Sequence, residues 1–441
     1  MASPISPRRR DQVLDALRRG TVPQDGLANL AVGLERFQST VAENLERVSA
    51  GGGAFKAIRG EYGCGKTFFS RWLQEQARAQ KFATAEVQIS ETETPLHKLE
   101  TVYRRLTERI ATAAGSAGGF RSIIDTWFYA LEEDVLSSGR VKQTDEAGLV
   151  AATNALMDQR LDALSRDASA FASALRGYRV AQAAGDTATA EGLIAWVGGQ
   201  PNVSASIKRA AGLKGDVDHG AALSFLKGLL VVLRDSGHAG LLLVLDEVET
   251  LQRMRGDVRE KALNALRQLI DEIDAGRFPG LFLVITGTPA FFDGPQGMQK
   301  LPPLAQRLHT DFDTDSRFDN PRAPQIRLRA FDRSSLVEVG TKVREIFVSG
   351  SKNPADISAR ANDALIATLV DAVTGELGGK IGIAPRLFLK KWVADLLDRI
   401  EQFPDFDPTK NYRLTLRSEE ITQQERNLMA ASSVEDIPLD V

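Results

Sequence analysis

The chain has 441 residues, 43% apolar and 26% charged, so it can hold a large domain with one or two smaller ones and carries no collagen-like or disordered bias. A formal net charge of −3 gives no global pull toward nucleic acid or an anionic membrane, and the longest apolar runs, 228–233 and 241–245, fall far short of the ~20 residues that span a bilayer. The single cysteine, Cys64, excludes an intramolecular disulfide and a cysteine-rich zinc site, and the chain reads as cytoplasmic.

At the N-terminus Arg8, Arg9 and Arg10 are followed by no apolar stretch of the signal-peptide kind. Residues 1–50 read as a helical lead-in, with Leu14, Leu17, Leu30, Val32, Leu34, Phe37 and Val41 available for a buried stripe. Gly51, Gly52 and Gly53 interrupt it. A short strand over 54–59 then runs into a glycine-rich loop and a helix through Phe69, Trp72, Leu73 and Ala77. A second strand is expected over 84–89, and a helix from near Thr94 and Pro95 through Leu106.

The stretch 115–220 is alanine-rich and helical, broken at Gly177, Gly185, Gly198 and Gly199, and reads as an insertion. Beyond it come a helix over 225–233, a strand over 241–245, an amphipathic helix over 258–273 and a strand over 281–286. The last strand is apolar almost throughout, the pattern of a parallel strand covered on both faces. The expected fold class is therefore α/β with a parallel sheet, in a domain spanning 51–330. Helices over 334–347, 361–373 and 385–397 predict a small all-helical second domain at 331–402, and 403–441 read as a C-terminal tail with Pro404, Pro408 and a charged stretch at 413–426.

Residues 60–67 match G-x-x-x-x-G-K-[ST], a loop whose glycines let backbone N–H groups wrap phosphates at the positive end of the next helix. Contacts to ATP are expected from Gly60, Glu61, Tyr62, Gly63, Cys64, Gly65, Lys66, Thr67 and Phe68, with Lys66 on the β- and γ-phosphates and the Thr67 hydroxyl on Mg²⁺. For Cys64 the alternatives are a thiol activated by amide dipoles and Lys66, or a small side chain filling a permissive loop position. The 241–245 strand ends in adjacent carboxylates: Asp246, suited to holding hydrated Mg²⁺, and Glu247, suited to polarising the attacking water. Glu249 reads as a solvated first-turn charge. His97, His219, His238 and His309 show no metal-ligand spacing.

The order of phosphate loop, Asp-Glu strand, polar strand end and helical lid resembles the AAA+ P-loop NTPases, particularly their origin-recognition branch. That resemblance implies a polar sensor near the γ-phosphate at Thr286 or Thr288. It also implies an arginine offered to a neighbouring subunit, with Arg307 or its competitor Arg322 in that role, and a lid arginine, Arg386, that reaches back to the γ-phosphate. A closer resemblance rests on the residues at 18–23, GEYGCGKTFF at 60–69, ISETETPLHKLETVYRRL at 89–106, GLLLVLDEVETLQ at 240–252 and IAPRLFLKKWV at 383–393.

These stretches are similar to the BrxD-type ATP-binding proteins of BREX bacteriophage-defence systems. The resemblance implies an anti-phage ATPase of the AAA+ type that works beside other BREX defence proteins, such as a methyltransferase and a helicase, and it does not reveal the step that hydrolysis drives. Glu247, Arg307 and Arg386 favour a homo-oligomer that uses Mg-ATP to remodel or load on DNA. The alternative is an ATP-gated switch or scaffold with slow hydrolysis. Duplex DNA is a candidate partner through backbone charge alone, because the basic clusters at 8–10, 18–19 and 390–391 are short and too few residues follow Leu397 to place a winged helix.

Overall fold

Five strands carry the core: β1 (Ala54–Arg59), β2 (Ala83–Gln88), β3 (Leu241–Asp246), β4 (Leu281–Gly287) and β5 (Gln325–Arg327), all parallel, in the order β2-β3-β4-β1-β5. The computed structural model describes residues 5–115, 119–139, 141–162, 169–376 and 384–415, so residues 416–441 of the expected tail lie outside the described residues.

The alternation of side chains along a strand explains the two-faced burial. Leu241, Leu243 and Leu245 of β3 join one apolar cluster, while Leu242 and Val244 join another on the opposite face. Every residue of β3 and β4 is buried, as the continuous apolar pattern of the 281–286 strand predicts for a sheet covered on both sides.

In chain order the helices are α1 (Pro7–Arg18), α2 (Glu35–Ser49), α3 (Lys66–Ala79) and α4 (Leu99–Arg109). There follow α5 (Gly119–Ser137), α6 (Glu146–Asp162), α7 (Ser169–Ala183), α8 (Thr187–Val197), α9 (Ala205–Ala210), α10 (His219–Asp235) and α11 (Gly256–Asp274). After β4 come α12 (Pro289–Asp293) and α13 (Pro302–Leu308), then α14 (Arg333–Val348), α15 (Pro354–Arg360), α16 (Asp363–Glu376) and α17 (Ala384–Lys390).

Helices α2 and α3 cover one face through Phe37, Val41, Leu45, Phe69, Trp72 and Leu73. Side chains of α4, α5, α7, α8, α10 and α11 form the cluster on the other. No described helix is long and apolar enough to cross a membrane.

Two helix boundaries depart from the sequence reading. The helix expected near Thr94 begins at Leu99, because the Ser90 hydroxyl accepts the amides of Glu93 (3.1 Å) and Thr94 (2.9 Å) and folds that stretch into a turn ahead of Pro95. The helix expected over 385–397 widens into a π turn at Lys391–Leu397, where Lys391, Trp392 and Val393 are buried in succession. Three consecutive buried residues exceed a 3.6-residue stripe, and the wider turn accommodates them.

The lead-in is not one helix. Between α1 and α2 the chain turns at Gly20 (φ 68°) and runs as a strap along α3. Glu75 accepts the amides of Gly26 (2.7 Å) and Ala28 (3.0 Å), Arg71 donates to the Val22 carbonyl (2.6 Å), and Arg78 pairs with Asp25 (2.8 Å). Helix α1 itself joins the C-terminal helices: Val13, Leu14 and Leu17 pack with Leu336, Val343, Leu369 and Trp392, and Arg18 holds Asp398 with two bonds of 2.8 Å.

Candidate functional site

The loop between β1 and α3 is shaped by glycine. Gly63 (φ 78°) and Gly65 (φ 95°) adopt left-handed conformations that L side chains rarely take. At Gly60 a Cβ would lie 2.3 Å from Cys64 Sγ, so a larger residue would force the loop open. The Phe69 amide donates to the Gly65 carbonyl (2.8 Å), so the amides of Lys66, Thr67 and Phe68 belong to the first helical turn, which has no carbonyl four residues back within the helix to bond.

Lys66 is buried, and its ammonium donates to the carbonyls of Gly60 (2.8 Å) and Glu61 (3.2 Å), 5.0 Å from the centre of the Tyr62 ring. Burial pushes the Cys64 thiol above its ordinary pKa, with Lys66 opposing only in part. Its side chain packs with Ile58, Phe69 and Leu328, so of the two alternatives the loop-filling one matches its surroundings.

The parallel register aligns Gln88 of β2 with Asp246 and Val244 with Val284. The carboxyl ends of β2, β3 and β4 therefore stand side by side, facing the loop. Asp246 is buried, and burial raises its pKa while the Thr286 hydroxyl, which donates to Oδ1, opposes that rise. Thr67 Oγ1 lies 3.5 Å from Asp246 Oδ2, so a hydroxyl and a carboxylate oxygen converge as a hard-cation donor set.

The chain leaves β3 through a left-handed residue, Glu247 (φ 61°), an uncommon conformation for a side chain of this size. Two contacts hold it there: its amide donates to Thr286 Oγ1 (3.1 Å), and Gln88 Nε2 donates to its Oε2 (2.9 Å). Thr286 thus ties both carboxylate residues to β4. Thr288, two residues on, is the buried N-cap of α12 and makes no side-chain cap bond.

Glu249 departs from expectation. It is 6% exposed rather than solvated, because the 3₁₀ turn at Val248–Arg253 folds it back under the strand end. Both of its carboxylate oxygens are buried without a hydrogen-bond partner, and burial pushes its pKa up to about 7, with Lys66 the main opposing influence.

One cavity of about 750 Å³ gathers Tyr62, Gly63, Cys64, Gly65, Lys66, Thr67, Phe68, Asp246, Glu247, Glu249 and Arg386. Gly60 and Glu61 border it through the carbonyls that hold Lys66. Its far wall is apolar, made by Val22, Pro23 and Leu30 of the strap together with Phe331, Val339 and Leu389. Nothing in the irregular 20–33 segment signals this wall in sequence, since it has no periodicity, whereas Thr286 stands among the expected sensor residues and the polar end of β2 is the available clue to Gln88.

Arg307 lies outside the cavity on α13, ion-paired with Asp271 and, at 3.5 Å, with Asp274 of α11. Arg322, its competitor, is paired with Glu43 (2.6 Å).

A family model described as BREX system ATP-binding protein BrxC/D matches residues 5–416. No curated protein matches the chain.

Proposed function

The chain belongs to the BREX system ATP-binding protein family, and from that premise we propose that it hydrolyses Mg-ATP in the cavity between the phosphate loop and the carboxyl ends of β3 and β4. The observation that carries the reading is the Thr286 hydroxyl, which pins Asp246 and the Glu247 amide together beside Thr67 and Lys66. Glu247 is then held as the base for the attacking water, while Asp246 and Thr67 are set to hold the metal.

When bound, Mg²⁺ neutralises charge on the β- and γ-phosphates. Lys66 exchanges its two loop carbonyls for phosphate oxygens, and the amides of Lys66, Thr67 and Phe68 donate to the same group. The apolar wall of strap and C-terminal helices takes the base, and Arg386 approaches from that side. In this reading 331–402 act as a lid, Arg307 leaves Asp271 and Asp274 to serve a neighbouring copy, and hydrolysis drives remodelling or loading on DNA by an oligomer of the BrxD kind.

Steady-state Mg-ATP turnover at low salt, with and without duplex DNA, tests this. Turnover that DNA raises is expected; ATP binding without measurable turnover in either condition would sink the motor reading. The second reading, an ATP-gated switch, is favoured by one contact: Gln88 donates to Glu247 Oε2, so one oxygen of the base is engaged until that bond breaks.

Thr286→Val removes the shared hydroxyl with almost no change in volume. A hydrogen bond to a charged group contributes about 1.5–3 kcal/mol, so turnover is expected to fall about ten- to hundredfold. Unchanged circular dichroism would accompany that loss, and turnover within about threefold of wild type would show that the hydroxyl does not position the carboxylates.

A further inference from the structure

Three carboxylates line the cavity beside the phosphate loop. Among the described residues, Lys66 faces Asp246, Glu247 and Glu249 there, and it is bonded to loop carbonyls. The other charged lining residues are Glu35 and Arg36 at the start of α2, Arg329 just beyond β5, Asp332 and Arg386.

Glu249 stands apart from its two neighbours. Asp246 receives Thr286, and Glu247 receives Gln88, but Glu249 is 6% exposed with neither oxygen partnered. Leaving a buried carboxylate without a donor is costly, and native structures tolerate such a group where it has a task. Its carboxyl is correspondingly raised to about 7.

Such a group repels a polyphosphate arriving alone and welcomes one that arrives with a divalent cation and the donor hydrogens of its water shell. Resting on the nucleotide-site reading above, we infer that Glu249 makes nucleotide binding conditional on the divalent cation. It acts as a positioning residue that rejects metal-free nucleotide and accepts hydrogen bonds from the water that accompanies the metal. Asp246 and Glu247 already have the donors Thr286 and Gln88, so Glu249 is the carboxylate of the three that gains most from those donor hydrogens.

The test uses the full chain and a fluorescent, hydrolysis-resistant ATP analogue, titrated in Mg²⁺ and in EDTA, for wild type, Glu249→Gln and Glu249→Asp. Wild type is expected to bind much more tightly with Mg²⁺. In Glu249→Gln the ratio of the two affinities falls about tenfold or more, the size of one charge-assisted contact. Glu249→Asp, which keeps the charge, retains most of the ratio. Retention of Mn²⁺ by the protein–analogue complex, read by electron paramagnetic resonance, weakens in Glu249→Gln.

A wild-type ratio in Glu249→Gln overturns the inference while leaving the nucleotide site intact. Failure of wild type to bind the analogue with Mg²⁺ overturns the nucleotide-site reading itself, and the inference with it. A Glu249→Gln chain that does not fold also overturns the inference, because neutralising an unpaired buried carboxylate should leave the ligand-free protein at least as stable as wild type.

Discussion

Glu247→Gln is expected to lower steady-state ATP turnover by about 10²–10⁴-fold, the usual contribution of a general base, while ATP binding stays close to that of wild type. The separation of the two effects follows from the contacts. The Glu247 amide, not its side chain, bonds Thr286, so the substitution leaves the link between β3 and β4 in place. Asp246 keeps its Thr286 and Thr67 neighbours, and Lys66 keeps its freedom to exchange loop carbonyls for phosphate.

A glutamine of the same shape cannot take a proton from water, so only the chemical step suffers. Parallel measurement of phosphate release and analogue binding checks this. Turnover within a few-fold of wild type would assign the base elsewhere, and a parallel loss of binding would mean that Glu247 holds the nucleotide rather than the water.

The second large effect concerns stability. Trp392 is fully buried at the π turn, and its indole N–H donates to the Gly340 carbonyl of α14 (3.0 Å). Gly340 also lets Phe388 and Ile366 pack close, since a Cβ there would meet each of them at 2.9 Å. Truncating Trp392→Ala empties the centre of the cluster that joins α1, α14, α16 and α17, for an expected loss of about 3–5 kcal/mol.

In a chain of this size the cluster need not unfold with the sheet, so the loss should be seen as an earlier first transition in a denaturant titration. The same helix carries Arg386, six residues before Trp392, so nucleotide affinity should fall although Trp392 does not line the cavity. A shift worth less than about 1 kcal/mol would show that the cluster repacks around the gap.

Much of the architecture was readable from residue pattern. Five-residue apolar strands ending in polar groups, glycines before a Lys-Thr pair, and helices with one apolar stripe are local signals, and each is set by backbone sterics and burial acting over a few residues. They were enough for the parallel sheet, the phosphate loop and the position of Asp246 and Glu247 at a strand end. Cys64 shows where local reasoning stops: helix dipole and Lys66 argue for a lowered thiol pKa, yet burial under Leu328 and Phe69 outweighs both.

Glu249 shows the same limit with the opposite sign. One turn past a strand end a carboxylate looks solvated, and only the 3₁₀ turn beyond Glu247 puts it under the protein surface. Thr286 and Gln88 come from strands 39 and 159 positions from Glu247, and their contact with it depends on strand order, which no local pattern encodes. The strap from Gly20 to α2 became a cavity wall because Arg71, Glu75 and Arg78 of α3 capture its backbone and Asp25. Loop, strand end and helix stripe are thus written in neighbouring residues, whereas burial, charge balance and the partners of each site group arise only when distant segments pack, because those energies depend on what surrounds a side chain and not on what precedes it.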